Sequence, residues 1–472
     1  MEEKDLPTRV IPPYLRRLGG LKVTKKVTFL HGADLHLGSR LKSVGEKSRD
    51  LQKWINEGVF IAFERMVSAA IECEVNFMVL CGDIYDQTER SAKSKRFFIK
   101  QMERLEEKSI PVYVIYGNHD HMDNKQEFFK YPDNVFIFSS DQAEVFEVTG
   151  DKGETIARIL GQSYKNSSET RKMHKSYKPL DHDVVNIGLL HTGLQLNNKY
   201  VPCSAEELKD MDNIDYWALG HNHQPKIINE DYPVIAFSGI PQGRSMGEMG
   251  LGGCLLVTIE PQKTAEVKFI PTSSVIWLDL KVFVKENDSN QEDLISSMVK
   301  RGEKFLNEAE NENLVMRDIG SGIKGDLGIK GYVVRWHISG RGEIHNSLKE
   351  DNEIRTVLVE RMQEEFKSRE PFFWTEDIRL DTISPLVNTE EISEEDVVMK
   401  TLQQIHEEFQ RDPEIREEIM ANKKLAKKWS PQENSEGIKD EVFLLNDDLY
   451  KSMVEKAFYL VAERILEGRG EK

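Results

Sequence analysis

No stretch of this 472-residue sequence approaches 18 consecutive apolar residues, which excludes a membrane-spanning helix, and the first 26 residues hold no apolar core of the kind a secretory signal needs. A cytoplasmic protein with no membrane partner is therefore expected. Cysteine is scarce: Cys73, Cys81, Cys203 and Cys254 form no C-x-x-C, and three of the four sit among apolar neighbours. Neither a disulfide nor a thiolate zinc site is expected. Without secretion, the glycosylation sequons at Asn166 and Asn287 are chance matches. Positive charge is also short, since 64 Lys and Arg against 81 Asp and Glu leave a net charge of -17. That average weighs against a polyanionic partner. It conceals a gradient, however, because residues 391 to 420 hold ten acidic against three basic residues, and divalent cations would reverse the local sign wherever carboxylates gather. Absent too is any G-x-x-x-x-G-K-S/T, so this chain should not hydrolyse ATP through a P-loop. Gly320-Ser321-Gly322-Ile323-Lys324-Gly325 fits G-x-G-x-x-G, but no apolar strand precedes it and no clear helix follows. It reads as a flexible loop.

What the chain does have is a series of apolar runs that end in chemistry. Lys26 to Leu30 leads into His31-Gly32-Ala33-Asp34-Leu35-His36-Leu37-Gly38, where Asp34 and His36 would project to one side of an extended loop. An amphipathic helix from about Leu51 to Glu74 follows, with Val59, Phe63, Met66 and Ala70 on one face. Phe77 to Cys81 is a second buried strand and ends at Gly82-Asp83-Ile84-Tyr85-Asp86. After a helix over about Ser91 to Lys108, Val112 to Ile115 delivers Gly117-Asn118-His119-Asp120. Strand, helix, strand, helix, strand implies right-handed crossovers and a largely parallel sheet, whose ligands gather at the strands' carboxyl ends. A hairpin-like stretch is expected over residues 135–138, 143–148 and 155–160, then an exposed polar loop from Ser163 to Asp183. Val184 to Leu190 ends at His191, and Tyr216 to Leu219 ends at Gly220-His221-Asn222-His223.

Those loops together offer Asp34, His36, Asp83, Asn118, His191, His221 and His223. Seven oxygen and nitrogen donors exceed the needs of one tetrahedral zinc and fit two metals. Imidazole and carboxylate ligation suits Mn(II) or Fe(II), with Zn(II) as an alternative, and a carboxylate is the natural bridge between paired ions. Such a pair generates hydroxide and clamps phosphate oxygens, so phosphoester hydrolysis is the expected reaction.

In these five blocks, D-x-H, G-D-x-x-D, G-N-H-D, H and G-H-x-H, the chain resembles the calcineurin-like metallophosphoesterases. Its first block is similar to that of DNA double-strand-break repair nucleases of the SbcD and meiotic-recombination-eleven type, and Gly239 to Gly253 resembles the prokaryotic YhaO-like branch. The resemblance covers about residues 27 to 260. It implies an α/β fold of two sheets flanked by helices, a metallophosphoesterase sandwich, followed by a small α+β capping domain and a helical C-terminal extension. Domain limits are expected at 1–26 (an extension), 27–273 (nuclease), 274–387 (capping) and 388–472 (partner docking). By position, the family pattern assigns Asp34, His36 and His223 to one metal and Asn118, His191 and His221 to the other, with Asp83 bridging. It places His119 against the scissile phosphate, where an imidazolium could protonate the leaving oxygen, and lets Asp120 orient it. Asp86 stands where some relatives have His, and Ala33 replaces a Ser of the first block.

Other residues carry less. His121, His174, His182, His337, His345 and His406 match no ligand position and read as solvated or structural. His31 is either support for the first block or packing at a strand end. Arg244 could meet a substrate phosphate, although a surface salt bridge is the plainer reading. In the C-terminal half, strands are expected over Val275 to Val284, Tyr332 to Ile338 and Ile378 to Ile383, with helices over about 291 to 310 and 350 to 367. Beyond them, Val398, Leu402, Ile405 and Phe409 form one apolar stripe, and Tyr450, Val454, Phe458, Val461 and Ile465 another, with Asn446 as N-cap and Gly468 as stop. The expected function is a two-metal DNA exonuclease or endonuclease of double-strand-break repair. It would act on DNA with an SbcC-type ABC ATPase docked on the C-terminal helices, and a homodimer is compatible with this. The alternatives are a phosphatase or phosphodiesterase for a non-DNA phosphoester, and a scaffold with a vestigial metal site.

Overall fold

The computed structural model describes residues 8–10, 26–39, 41, 49–86, 92–122, 130–150, 152–178, 181, 183–284, 290–311, 328–342, 344–350, 353–383, 397–413, 415 and 447–470. The glycine loop at 320–325, His182, the Asn446 cap and nearly all of the 1–26 segment lie outside them. In chain order the elements begin with β1 (Thr8–Val10), β2 (Val27–Gly32), α1 (Arg49–Glu72), β3 (Phe77–Cys81), α2 (Ala92–Glu106), β4 (Val112–Ile115) and β5 (Val135–Ile137). Next come β6 (Glu144–Thr149), β7 (Thr155–Gly161), β8 (Val185–His191), α3 (Ala205–Lys209), β9 (Tyr216–Gly220), β10 (Lys226–Asn229), β11 (Val234–Phe237), β12 (Gly253–Ile259) and β13 (Glu266–Pro271). The chain continues with β14 (Val275–Val284), α4 (Gln291–Asn311), β15 (Gly331–Arg341), α5 (Ile344–Glu350), α6 (Ile354–Glu365), β16 (Phe372–Ile383), α7 (Val397–Arg411) and α8 (Asp447–Gly470).

Two mixed sheets result, ordered β13-β12-β2-β3-β4-β5 and β1-β6-β7-β8-β9-β11-β10. Strands β2, β3, β4 and β5 pair in parallel, with Phe29 opposite Phe77 and Met78 opposite Val112, and α1 and α2 carry the chain back over the sheet as the crossovers from β2 to β3 and from β3 to β4. Apolar residues at helical spacing on α1 (Val59, Phe63, Met66, Ala70) are buried on one side of that sheet, where Phe63 stacks on Phe98 of α2 at 5.5 Å. On the other side Phe29 stacks on Phe77 at 5.1 Å and meets Tyr216 of the second sheet edge-on at 5.4 Å. These rings join the sheets. Truncating one, as in Phe29→Ala, would cost about 3–5 kcal/mol.

Three expectations are corrected. The 135–160 stretch is not one hairpin unit: β5 extends the first sheet beside β4, whereas β6 and β7 pair antiparallel in the second. Alternation alone cannot say which sheet receives a strand, and here Phe138, buried against Phe146 at 4.8 Å, carries the chain across. Residues 163–183 are not an exposed loop throughout. Tyr164, Met173, His174 and Tyr177 are buried, with Tyr177 stacked on Trp217 at 5.7 Å around a 3-10 turn at Met173–Ser176. Their spacing has no period, so only tertiary contact reveals them. Lastly, the helix expected over about 350–367 is α6, but a further helix, α5, precedes it, and β16 starts at Phe372 rather than Ile378.

By its contacts the chain forms two compact units. One comprises Met1–Asp279, Phe305–Arg335 and Phe366–Glu376; the other comprises Leu280–Lys304, Trp336–Glu365 and Asp377–Lys472. Strands β14, β15 and β16 form a three-stranded sheet. Within the second unit α6 buries Ile354, Leu358 and Met362, and α7 packs on α8. There the Tyr450 hydroxyl donates to the Phe409 carbonyl at 2.7 Å and the His406 and Phe458 rings lie 4.4 Å apart. Val398, Ile405, Leu460 and Val461 of that pair remain exposed. Among the described residues no helix is long and apolar enough to cross a membrane.

Candidate metal centre

The carboxyl ends of β2, β3, β4, β8 and β9 open toward one place, and the backbone there is shaped for side-chain delivery. Asp34, His36, Asp83 and His221 all have positive φ (52°, 43°, 52° and 98°), a conformation uncommon for non-glycine residues. The Asp34–His36 loop is thus left-handed at both residues rather than extended. It is zipped to the β3 loop by Asp34 N–H to the Gly82 carbonyl (3.0 Å) and His36 N–H to the Asp83 carbonyl (2.9 Å). Gly117 leaves room at the centre: a Cβ there would stand 2.3 Å from Asp83 Oδ1 and 2.8 Å from the His191 ring. Gly82, at φ +89°, is equally confined, since a Cβ there would stand 2.3 Å from His191 Nδ1.

All seven expected donors come together. His36 Nε2 lies 3.3 Å from His223 Nε2 and 3.9 Å from Asp83 Oδ2. His223 Nε2 lies 4.0 Å from Asp34 Oδ1. His191 Nε2 is 3.5 Å from Asp83 Oδ2 and 3.1 Å from Asn118 Oδ1, which also faces His221 Nδ1 at 3.2 Å. The groups Asp34, His36, His223 and Asp34, Asp83, His191 each gather ligand atoms within 4.8 Å of one another. Asp83 Oδ2 stands between His36 and His191, the position a bridging oxygen requires.

Does this set fit cations? His191 Nδ1 donates to the Cys81 carbonyl at 2.9 Å, since a carbonyl can only accept, so in the neutral ring Nε2 bears a lone pair. That lone pair faces the oxygens of Asn118 and Asp83. His223 repeats the arrangement: Nδ1 donates to Glu248 Oε1 at 2.8 Å and Nε2 faces His36 and Asp34. Lone pairs of His191 and His223 converge with two buried carboxylates, of which Asp34 accepts the His221 backbone N–H (3.0 Å) and Asp83 the His119 backbone N–H (2.9 Å). So many acceptors and negative charges in one buried place call for cations, and the O/N donor chemistry suits divalent ones. Burial has the same import for three of these groups, although at His223 burial is outweighed by the Glu248 hydrogen bond and the Asp34 charge, which raise the pKa. Burial pushes the Asp34 carboxyl up, lowers His36 well below the ordinary histidine value with help from the Arg244 and His223 charges, and takes His221 to about 3. Neutral imidazoles are the form that ligates.

At the rim stands His119, its side chain 44% exposed, with Nδ1 3.7 Å from Asp86 Oδ1. The Asp86 carboxylate raises the His119 pKa, and His119, Ser39 and Arg244 hold Asp86 well below the usual carboxylate range. Asp120 does not orient His119. Its carboxylate accepts the backbone N–H groups of Ile84 (2.6 Å), Tyr85 (3.3 Å) and Gly117 (2.7 Å), so it ties the second block to the third. Burial, then the Asp83 charge, raises it to about 7. The reason for the correction is short-range: three N–H donors outbid one side chain for the same two oxygens. Arg244 is at the rim in a salt bridge with Glu248 (Nη2–Oε1 2.8 Å), with Nη1 3.9 Å from Asp86 Oδ2.

Several supporting residues escaped sequence reasoning. Glu248 is one; its only signal was its place in the glycine-rich segment 239–253. The Tyr164 hydroxyl donates to the His191 carbonyl at 2.7 Å, and the Tyr200 ring lies 4.6 Å from that of His221. Neither had a sequence signal. His31 is resolved as packing: its ring nitrogens meet the Tyr216 hydroxyl and the Leu219 carbonyl, both at 3.1 Å, pinning one sheet to the other.

The calcineurin-like phosphoesterase family model matches residues 27–225. An uncharacterised metallophosphoesterase of Bacillus subtilis, YhaO, is 32% identical over 288 residues, covering 58% of this chain and 69% of that protein. The DNA double-strand break repair protein Mre11 of Methanocaldococcus jannaschii is 26% identical over 219 residues (45% of this chain, 55% of that protein). Its counterpart in Methanococcus maripaludis is 26% identical over 236 residues (47% and 59%). The chain thus spans little more than half the length of these two archaeal relatives. Among solved structures, a dimetal phosphatase from Danio rerio matches 52% of this chain and 99% of its own at 12% identity, with a TM-score of 0.33, a likeness too weak to bear on the fold.

Proposed function

Because the chain belongs to the calcineurin-like phosphoesterase family, we propose that it is a two-metal nuclease that hydrolyses DNA phosphodiesters in double-strand-break repair, acting with an SbcC-type ABC ATPase. Membership implies metal-dependent phosphoester hydrolysis, and the observation that carries this much is the convergence of Asp34, His36, Asp83, Asn118, His191, His221 and His223 on shared lone-pair directions. Asp34, His36 and His223 would hold one ion, Asn118, His191 and His221 the second, and Asp83 would bridge. Mn(II) is the proposed metal, since an O/N donor set without thiolate suits it. Bound there, the ions would lower the pKa of water and neutralise phosphate oxygens.

The chain's own residues would do the rest. His119, half-exposed and beside Asp86, is placed to meet a phosphate at the rim and to give its proton to the leaving oxygen. Arg244, already charge-balanced by Glu248, would add positive potential at the same edge. The choice of DNA is supported by the likeness to the archaeal repair proteins. The choice of an ATPase partner is supported by the exposed Val398, Ile405, Leu460 and Val461 on α7 and α8. The test is the purified full chain with Mn(II), given labelled duplex DNA, single-stranded DNA and p-nitrophenyl phosphate. DNA cleavage is expected. Turnover of the phenyl ester alone would overturn the nuclease reading in favour of a phosphatase.

A further inference from the structure

The family match stops at residue 225, yet an acidic side chain beyond it reaches the centre. Glu248 lies in the turn between β11 and β12. That turn is clamped by Gly250 N–H to the Trp277 carbonyl (2.9 Å) and by Trp277 Nε1–H to the Gly243 carbonyl (2.8 Å), with Trp277 fully buried. A second anchor is Glu248 N–H to the Ser245 carbonyl at 2.9 Å. So held, the carboxylate is 13% exposed and accepts four hydrogen bonds. Oε1 takes His223 Nδ1 (2.8 Å) and Arg244 Nη2 (2.8 Å); Oε2 takes the Arg244 backbone N–H (2.7 Å) and Nε (3.2 Å).

We propose that Glu248 is the positioning residue of this centre, fixing the tautomer and orientation of the His223 imidazole and, through Arg244, the electrostatic edge beside His119. The inference rests on reading Asp34, His36 and His223 as a cation site. The chemistry is directional. A carboxylate accepts only, so the His223 proton must sit on Nδ1, which leaves the Nε2 lone pair aimed at Asp34 and His36. The same carboxylate occupies Nε and Nη2 of Arg244, leaving Nη1 to face Ser39 Oγ at 3.5 Å and Asp86 Oδ2 at 3.9 Å. Ser39 in turn donates to Asp86 at 2.9 Å, and Asp86 is the ion-pair partner of His119. One side chain thus organises both the metal-facing histidine and the neighbours of the phosphate-facing one.

The test uses the full chain labelled with 15N-histidine. In the metal-free wild type, at a pH where His223 is neutral, imidazole 15N shifts should report the Nδ1–H tautomer; the Nε2–H tautomer there would overturn the proposal without any variant. Glu248→Ala should move His223 toward Nε2–H and weaken Mn(II) binding, measured by calorimetry, about 10- to 100-fold. Glu248→Gln, whose amide oxygen can accept the same proton, should restore the tautomer and recover part of the affinity. An unchanged tautomer in Glu248→Ala, or wild-type Mn(II) affinity in both variants, refutes the role. If the wild type bound no Mn(II), the metal reading would fail, and the tautomer measurement would still decide the role of Glu248.

Discussion

Replacing Asp86 with Asn removes one negative charge with little change of shape, and the structure says where the loss should be felt. Asp86 Oδ1 lies 3.7 Å from His119 Nδ1, an ion-pair separation rather than a formed hydrogen bond, with side chains 22% and 44% exposed. At that distance and an effective dielectric of about 40–80, suited to a screened rim, the attraction is about 1–2 kcal/mol. Turnover should fall about 5- to 30-fold if the imidazolium acts in the transition state. The pH dependence has a definite sign. Asp86 raises the His119 pKa, so the charged ring persists to higher pH in the wild type. In Asp86→Asn the alkaline limb of the kcat profile should move to lower pH, with a deficit that widens as pH rises. Ser39 can still donate to the Asn oxygen, so the loop should keep its place. The assay compares a DNA substrate with bis(p-nitrophenyl) phosphate, whose nitrophenolate leaves without a proton. A deficit confined largely to DNA supports proton donation by His119; equal losses on both substrates with an unmoved alkaline limb would refute the reasoning.

Asp83→Ala removes the oxygen lying between His36 and His191, and both metals should be lost; full occupancy by elemental analysis would end the bridging assignment. His119→Ala should keep its metals while turnover drops about 100-fold or more, and a near-normal rate would remove the ring from the reaction. Gly117→Ala would put a methyl 2.3 Å from Asp83 Oδ1, so Mn(II) affinity should collapse and stability fall by about 1–3 kcal/mol, both readable by calorimetry. Unperturbed Mn(II) binding in that variant would contradict the packing described. Burial holds His31 at about 3, below its unfolded value near 6.5, so its neutral form stabilises the fold above pH 6.5 and that stability is lost as pH falls toward 3. Between pH 8 and pH 5 the loss from this group is about 2 kcal/mol. In EDTA, urea unfolding of His31→Gln should therefore lose about that much less over the same interval, and parallel curves for the two proteins would exclude it.

The strand-end pattern was legible because it is local: an apolar run that ends in Asp, His or Asn names both a buried strand and its cargo. On that ground the seven donors and the parallel order of β2, β3 and β4 could be read from residues alone, and the five-block resemblance added the sandwich. Partner choice within the centre was not local. Asp120 adjoins His119 in sequence but faces three backbone N–H groups, whereas Asp86, 33 positions before His119, faces the ring. The left-handed turns at Asp34, His36, Asp83 and His221 likewise depend on loops from different strands bonding to one another. Glu248 reaches His223 only because Trp277 clamps its turn, and the burial of Tyr164 and Tyr177 needed a second sheet to cover them. Residue type and spacing determined which groups could do chemistry. Which of them touch was decided by tertiary packing, because hydrogen bonds and ion pairs act over a few ångströms of space and take no account of separation along the chain.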